Sequence, residues 1–228
     1  MTPNAIMIFA AGKGTRMGAL TRTRPKPLVR VSGRPLIDHA LDVAAPLQLS
    51  RTVVNAHHFA DQLADHLSGT GAVISYEEAL LDTGGGLRAA ADHLGGGTVF
   101  TLNSDAIWSA ENPLLQLQAA WDEARMDALL LLVPLTQALG RLTGGDFSAQ
   151  TGGEIRRGGD LVYTGAQIIR LDTLADMPGG AFSLNLAWDA MAERGRLFGA
   201  VYSGKWCDVG HPGGIELAEA LLKARSGV

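Results

Sequence analysis

The sequence predicts an α/β protein built on one doubly wound, mostly parallel sheet flanked by helices. Three observations carry that expectation. Short apolar runs alternate with stretches whose apolar residues recur at helical spacing, as in successive βα units. The 228 residues, 46% of them hydrophobic, suffice for one sizeable core. The first apolar run, Ala5–Ala10, passes straight into Ala11-Gly12-Lys13-Gly14-Thr15-Arg16, as a buried strand delivering a loop does. A single domain over residues 1–228 is expected.

In chain order, the spacing predicts a helix over Pro35–Ala45, a strand at Thr52–Asn55, a helix over Phe59–Leu67 and a strand at Ala72–Tyr76. A helix over Leu87–Leu94, the strand Thr98–Leu102, a helix over Leu114–Ala124 and the strand Ala128–Val133 continue the alternation. The stretch Thr143–Gly165 differs: it is rich in Gly and Thr, with short polar strands at Gly153–Arg156 and Leu161–Tyr163. Leu184–Glu193 returns to helical spacing, Leu197–Tyr202 to a strand, and Pro212–Ala224 to an amphipathic helix.

Composition excludes several function classes. A net charge of −4 disfavours broad nucleic-acid or anionic-membrane binding, so any anion site must be local. One cysteine, Cys207, allows no internal disulfide. There is no signal-peptide pattern and no apolar run near the ~18 residues of a membrane span. A soluble cytoplasmic protein is the expectation.

The glycine-rich loop lets backbone N–H groups approach an anion, and Arg16 and Lys26 supply cations for a polyphosphate. It is not a Walker A loop, because Gly14 follows Lys13 and no glycine stands five places before Gly12. A dinucleotide fingerprint would need glycine where Met17 stands. Lys26 lies between Pro25 and Pro27, whose fixed φ angles stiffen the backbone around it. Further on stand Asp82-Thr83-Gly84-Gly85-Gly86, Asn103-Ser104-Asp105 and Trp206-Cys207-Asp208-Val209-Gly210. In an open parallel sheet, loops at the carboxyl ends of neighbouring strands converge on one crevice, so these motifs should meet.

Ala10-Ala11-Gly12-x-Gly14-Thr15-Arg16-Met17, then Leu20-Thr21 and Pro25-Lys26-Pro27-Leu28, resembles the signature of the sugar-1-phosphate nucleotidyltransferases. Asp82–Gly86 resembles that family's nucleobase loop, and Asp105 and Asp208 its two metal aspartates. The order and spacing over residues 5–210 are most similar to the short, single-domain members that act on N-acetylmuramate 1-phosphate. Two positions depart from the pattern: Ala19 stands where proline is usual, and Ser104 where glycine is commoner. The resemblance implies a Rossmann-like fold with a small sugar-facing β insertion, which would be Thr143–Gly165.

The resemblance also implies site roles. Arg16, Lys26, Asp105 and Asp208 would be catalytic. Ala11, Gly12, Lys13, Gly14, Thr15, Arg16, Lys26, Glu77, Asp82, Thr83 and Gly84 would bind the nucleotide, UTP in the leading reading. Asn103, Asp146, Thr164 and Gly165 would contact the sugar 1-phosphate. Two carboxylates facing a triphosphate suit Mg²⁺, which takes oxygen ligands, and the six histidines lack a zinc spacing. No general base is needed, since a phosphomonoester with a second pKa of about 6 is already largely dianionic at neutral pH. Alternatives remain a guanylyl- or thymidylyltransferase for mannose, heptose or glucose 1-phosphate, and a non-catalytic nucleotide-sugar sensor. The chain ends too early for a trailing acyltransferase solenoid. Lys13 and Arg34 are weaker candidates. His57 and His58 suit a helix-entry loop, Cys207 a small buried position, and Trp121 and Trp188 helical core faces.

Overall fold

The computed structural model describes residues 3–225. In chain order the elements are β1 (Ala5–Phe9), β2 (Arg30–Val31), β3 (Arg34–Pro35), α1 (Leu36–Ala44), β4 (Arg51–Ala56), α2 (Ala60–Leu67) and β5 (Val73–Tyr76). There follow α3 (Asp82–Ala89), α4 (Ala91–Leu94), β6 (Thr98–Asn103), β7 (Ala106–Trp108), α5 (Pro113–Ala120), β8 (Ala128–Pro134) and β9 (Ala138–Leu139). The chain continues with β10 (Phe147–Ala149), β11 (Ile155–Arg157), β12 (Leu161–Arg170), α6 (Leu184–Glu193), β13 (Leu197–Val201), β14 (Trp206–Asp208) and α7 (Pro212–Arg225).

The main sheet runs β5-β4-β1-β6-β12-β8-β13, with β10 and β11 branching from the start of β12. Pairings among β5, β4, β1 and β6 are parallel, as is β8 with β13. The predicted doubly wound arrangement is present. Residues alternate across a strand, so Ile6 and Ile8 pack with Ile37 of α1, Leu63 of α2 and Leu114 of α5 on one face. Met7 packs with Leu87 of α3, Leu94 of α4 and Met191 of α6 on the other. Strands buried on both faces read as unbroken apolar runs, which is why β1 and β8 were legible from sequence.

The structure corrects several boundaries. The expected strand Leu161–Tyr163 is the start of the ten-residue β12, which lies antiparallel between β6 and β8. Thr164-Gly165 reads as a turn in sequence, but the register shift between Tyr163 and Gln167 absorbs it as a bulge, with Gly165 at φ +82°. The helix expected from Leu87 begins at Asp82, so Asp82–Gly86 forms helical turns rather than a loop. The helix expected to reach Ala124 stops at Ala120. Asp122 instead accepts hydrogen bonds from Ala124 and Met126 in a local turn that competes with the helix, leaving Trp121 beyond the helix end.

Of the short strands that went unread, two matter most: β7 and β14 pair antiparallel in a separate three-stranded sheet with β9. A third apolar cluster holds this ribbon: Ile107, Cys207 and Val209 pack beneath Ala218 and Leu221 of α7 and against Met17, Val29 and Leu36. The Cys207 thiol is fully buried, and burial, followed by the neighbouring Asp208 charge, pushes it up to about 12. A thiol reagent at about pH 8 should therefore leave the native protein unlabelled and react only after denaturation. Rapid native labelling would mean that α7 does not keep the ribbon covered.

Candidate active site

The glycine loop begins where β1 stops. The Ala10 amide donates to Asn55 Oδ1 (2.7 Å) at the end of β4, fixing the strand exit. Asn55 Nδ2 donates to Glu77 Oε1 (2.6 Å), and the other Glu77 oxygen accepts from the Leu81 amide (3.0 Å). His57 Nδ1 donates to the Glu77 carbonyl (2.9 Å), so His57 serves the loop before α2, as expected. Gly14 sits at φ +62°, and a Cβ there would lie 2.8 Å from Cβ of Lys26. Only glycine allows both that backbone conformation and that approach. The Thr21 hydroxyl donates back to the Gly14 carbonyl (3.0 Å) and closes the turn. Pro25 and Pro27 are buried, so the Lys26 side chain leaves an anchored turn.

Lys26 Nζ reaches Asp105 Oδ2 at 2.5 Å, with both side chains largely sheltered from solvent. Asp105 follows β6 in a tight turn, which Ser104 braces by donating its hydroxyl (2.7 Å) and its amide (3.2 Å) to the Phe9 carbonyl. The turn therefore tolerates serine in place of glycine. Asp208 closes β14 opposite Ala106, and the Val209 amide donates to the Asp105 carbonyl (2.9 Å). Strand pairing thus sets the two carboxylates side by side. Burial first and the Asp105 charge second hold the Asp208 carboxyl above the usual carboxylate range, while Lys26, Arg16 and Arg141 pull the other way.

Three connected clefts meet at Asp105. One, of about 330 Å³, is walled by Ala10, Ala11, Gly12, Asn55, Glu77 and Thr83. A second, of about 240 Å³, runs beside Gly12, Gly14, Thr15, Arg16, Lys26 and Gly210. The third, of about 350 Å³, lies among Asn103, Arg141, Arg157, Tyr163, Trp188 and Asp208 and also reaches Arg16. The first suits a planar base, the second an anion, and the third a polar substrate.

Not every expected residue faces these clefts with a free group. The Thr164 hydroxyl is buried and donates to the Leu131 carbonyl (2.7 Å), so it cannot contact a sugar. Gly165 acts by leaving room: a Cβ there would lie 2.6 Å from the Asn103 side chain, which it lets line the cleft. Asp146 lines the third cleft, but its oxygens accept from Arg141 Nη2 (2.5 Å) and the Tyr163 amide (2.9 Å). It holds Arg141 in place at the cleft. The Gly84 amide donates to the Phe182 carbonyl (2.9 Å), and a Cβ on Gly84 would strike the Phe182 ring. That glycine serves helix packing. The Thr83 hydroxyl accepts from the Leu184 amide (3.0 Å) and ties α3 to the start of α6 at the cleft edge. Asp82 accepts from the Thr83 amide at the same edge. Lys13 is exposed on the loop, and Arg34 pairs with Asp42 away from these clefts.

Sequence reasoning missed Asn55, Arg141 and Arg157 and assigned Trp188 to core packing alone. Asn55 carried a signal, as a polar residue at the carboxyl end of a buried strand. Arg157 carried one too, sharing a strand face with the buried Ile155. Arg141 had none, because its place depends on the Asp146 clamp.

Asp105 and Asp208 offer hard oxygen donors beside an anion cleft, which fits Mg²⁺ bound by one or two carboxylates plus substrate phosphates. Among the described residues no three His, Cys, Asp or Glu side chains cluster to cage a metal, so substrate oxygens would complete the shell.

Because the native Asp208 carboxyl is held above its ordinary value, its charged form weakens the fold. That penalty is absent below the unfolded-state value of about 3.9 and grows as pH rises through the native value. With metal chelated, Asp208→Asn should raise the Tm at neutral pH, and the gap over wild type should close in acid. A lower Tm at neutral pH would show that attraction to Lys26, Arg16 and Arg141 outweighs burial and Asp105.

Comparison with known proteins agrees with this geometry. Residues 6–136 match the MobA-like NTP transferase domain. The chain is 41% identical to an N-acetylmuramate alpha-1-phosphate uridylyltransferase of Caulobacter vibrioides, across 96% of this chain and 97% of that protein. It is 30% identical to the protein of that description from Neisseria meningitidis serogroup B, across 96% and 98%. Its fold superposes on the inositol-1-phosphate CTP transferase from T. maritima with a TM-score of 0.80, at 14% identity, covering 100% and 98% of the two chains. With a relative this similar over nearly its whole length, a matching domain and the same fold, the chain belongs to the sugar-1-phosphate nucleotidyltransferases.

Proposed function

We propose that this enzyme transfers a uridylyl group from UTP to N-acetylmuramic acid 1-phosphate, giving UDP-N-acetylmuramic acid and pyrophosphate. The observation that carries the chemistry is the convergence of Lys26, Asp105 and Asp208 where the three clefts join. The Caulobacter and Neisseria relatives support the choice of base and sugar.

An oxygen of the sugar phosphate attacks the α-phosphorus of UTP. The new P–O bond forms as the bond to the β-phosphate bridging oxygen breaks, and pyrophosphate departs. The attacking phosphate is already ionised, so no side chain has to remove a proton. The chain's task is to hold two anions in line and stabilise charge on the phosphoryl oxygens. The first cleft takes uracil against the backbone of Ala11 and Gly12. Arg16 and the amides of Gly12, Gly14 and Thr15 hold the β- and γ-phosphates. Lys26 meets the α-phosphate and the incoming phosphate together. Asp105 and Asp208 would hold Mg²⁺, which when bound neutralises charge shared by the two phosphate groups. Asn103 and Arg141 face the sugar phosphate.

Among the described residues no helix is long and apolar enough to cross a membrane. We place the reaction in the cytoplasm, where nucleoside triphosphates are available, in the recycling of cell-wall sugars.

Pyrophosphate release should be measured for four nucleoside triphosphates crossed with a panel of sugar 1-phosphates, with Mg²⁺ and with chelator. UTP with N-acetylmuramate 1-phosphate should turn over fastest, and chelation should stop it. Turnover only with another triphosphate would overturn the substrate assignment, and no turnover anywhere would favour a sensor. Lys26→Ala should fold and lose about 10²–10³-fold in turnover, as when one preorganised donor is removed. Asp105→Asn, Asp208→Asn and their double mutant should all lose turnover to a similar depth, since two groups sharing one ion are not additive. Multiplying losses with unchanged Mg²⁺ dependence would separate the two aspartates.

A further inference from the structure

We propose that Arg157 forms a carboxylate subsite in the sugar-side cleft and reads the acidic ether group that distinguishes N-acetylmuramate from neutral N-acetylglucosamine; this rests on the function proposed above. That cleft is lined by Arg16, Arg141 and Arg157 together with Asp82, Asp105, Asp146 and Asp208, and of these arginines Arg157 is the one whose guanidinium rests against aromatic rings. Arg16 also lines the anion cleft, and Arg141 is clamped by Asp146, so each is engaged elsewhere. Arg157 is carried at the end of β11. Its guanidinium lies over the Phe147 ring at 4.8 Å and near the Trp188 ring at 5.7 Å. Its Nε donates to Asp189 Oδ1 (2.7 Å) and one Nη to the Asn185 carbonyl (3.1 Å), leaving the other Nη without a protein acceptor among the described residues.

This is a planar cation oriented on three sides with donors to spare, which is the requirement for docking a carboxylate. The Asp189 pair does not account for it as a stabilising element: its side chains are 41% and 55% exposed, and ion pairs so exposed contribute little to folding. Neutral hydroxyls of a sugar would be met by neutral donors such as Asn185, which lines the same cleft. A guanidinium seated on aromatic rings with one Nη still free points to a second negative charge on the substrate.

The test compares kcat/KM and calorimetric affinity for N-acetylmuramate 1-phosphate and N-acetylglucosamine 1-phosphate in wild type, Arg157→Gln and Arg157→Lys, with Tm for each. Arg157→Gln should lose roughly 10–100-fold on the carboxylated substrate, mainly in KM, as expected for losing hydrogen bonds to a charged group. It should stay within about twofold on the neutral one. Arg157→Lys, which keeps the charge without the planar fork, should fall between. Equal losses on both sugars at unchanged Tm, or no loss on either, would overturn the subsite. If Arg157→Gln does not fold, the ratio measured in Arg157→Lys decides: an unchanged preference overturns the proposal. A wild-type enzyme that ignores the carboxylated sugar overturns the function itself, whereas a wild-type preference that survives both substitutions overturns only the role of Arg157.

Discussion

The site depends on one pairing of short strands. Where β7 meets β14, Asp208 stands opposite Ala106 and the Val209 amide bonds to the Asp105 carbonyl, so two carboxylates distant in sequence become neighbours. Placing them together in a sheltered junction is unfavourable: burial first and the Asp105 charge second push the Asp208 carboxyl upward. Two features of the chain compensate. Lys26 pairs with Asp105 at the junction, and the apolar cluster beneath α7 fastens the ribbon from behind. The arrangement stores a demand for positive charge at the place where two phosphate groups must approach each other.

The glycine loop answers the same demand from the opposite side. Its backbone curls at Gly14 so that Lys26 can pack directly against it, and the two buried prolines keep that lysine from retreating into solvent. Behind the loop, the chain of bonds from Ala10 through Asn55 to Glu77 ties the ends of β1 and β4 to the segment leading into α3. Glu77 belongs to the wall of the base cleft, yet both its oxygens are already committed. Those bonds make it a brace between the end of β4 and the segment leading into α3.

On the function proposed above, the reacting groups and much of the sugar-side cleft come from different parts of the fold. The reacting groups sit at ends of strands and turns braced by the core, whereas the sugar-side cleft is finished by the β10–β11 excursion and by residues of α6. Such appended segments can change without disturbing the catalytic junction. The bulge at Gly165 links the two, because it bends β12 just enough to leave space for Asn103.

The parallel core, the glycine loop and Lys26 were legible in the sequence because each leaves a local trace: an unbroken apolar run, a glycine spacing, a lysine between prolines. The two aspartates were named only by resemblance to family motifs, because β14, which carries Asp208, is too short to show in the sequence pattern. Residues whose roles arise from distant partners left no such trace. Thr164 and Gly84 look like ligand contacts until Leu131 and Phe182 are seen to take their donors. Asp146 likewise proves to be a clamp for Arg141. Composition and periodicity determined which elements form, since burial and backbone geometry act over a few neighbouring residues. Only the tertiary structure decided which polar groups remain free for a substrate, because a hydrogen-bonding group is available only after every partner brought to it by folding has been counted.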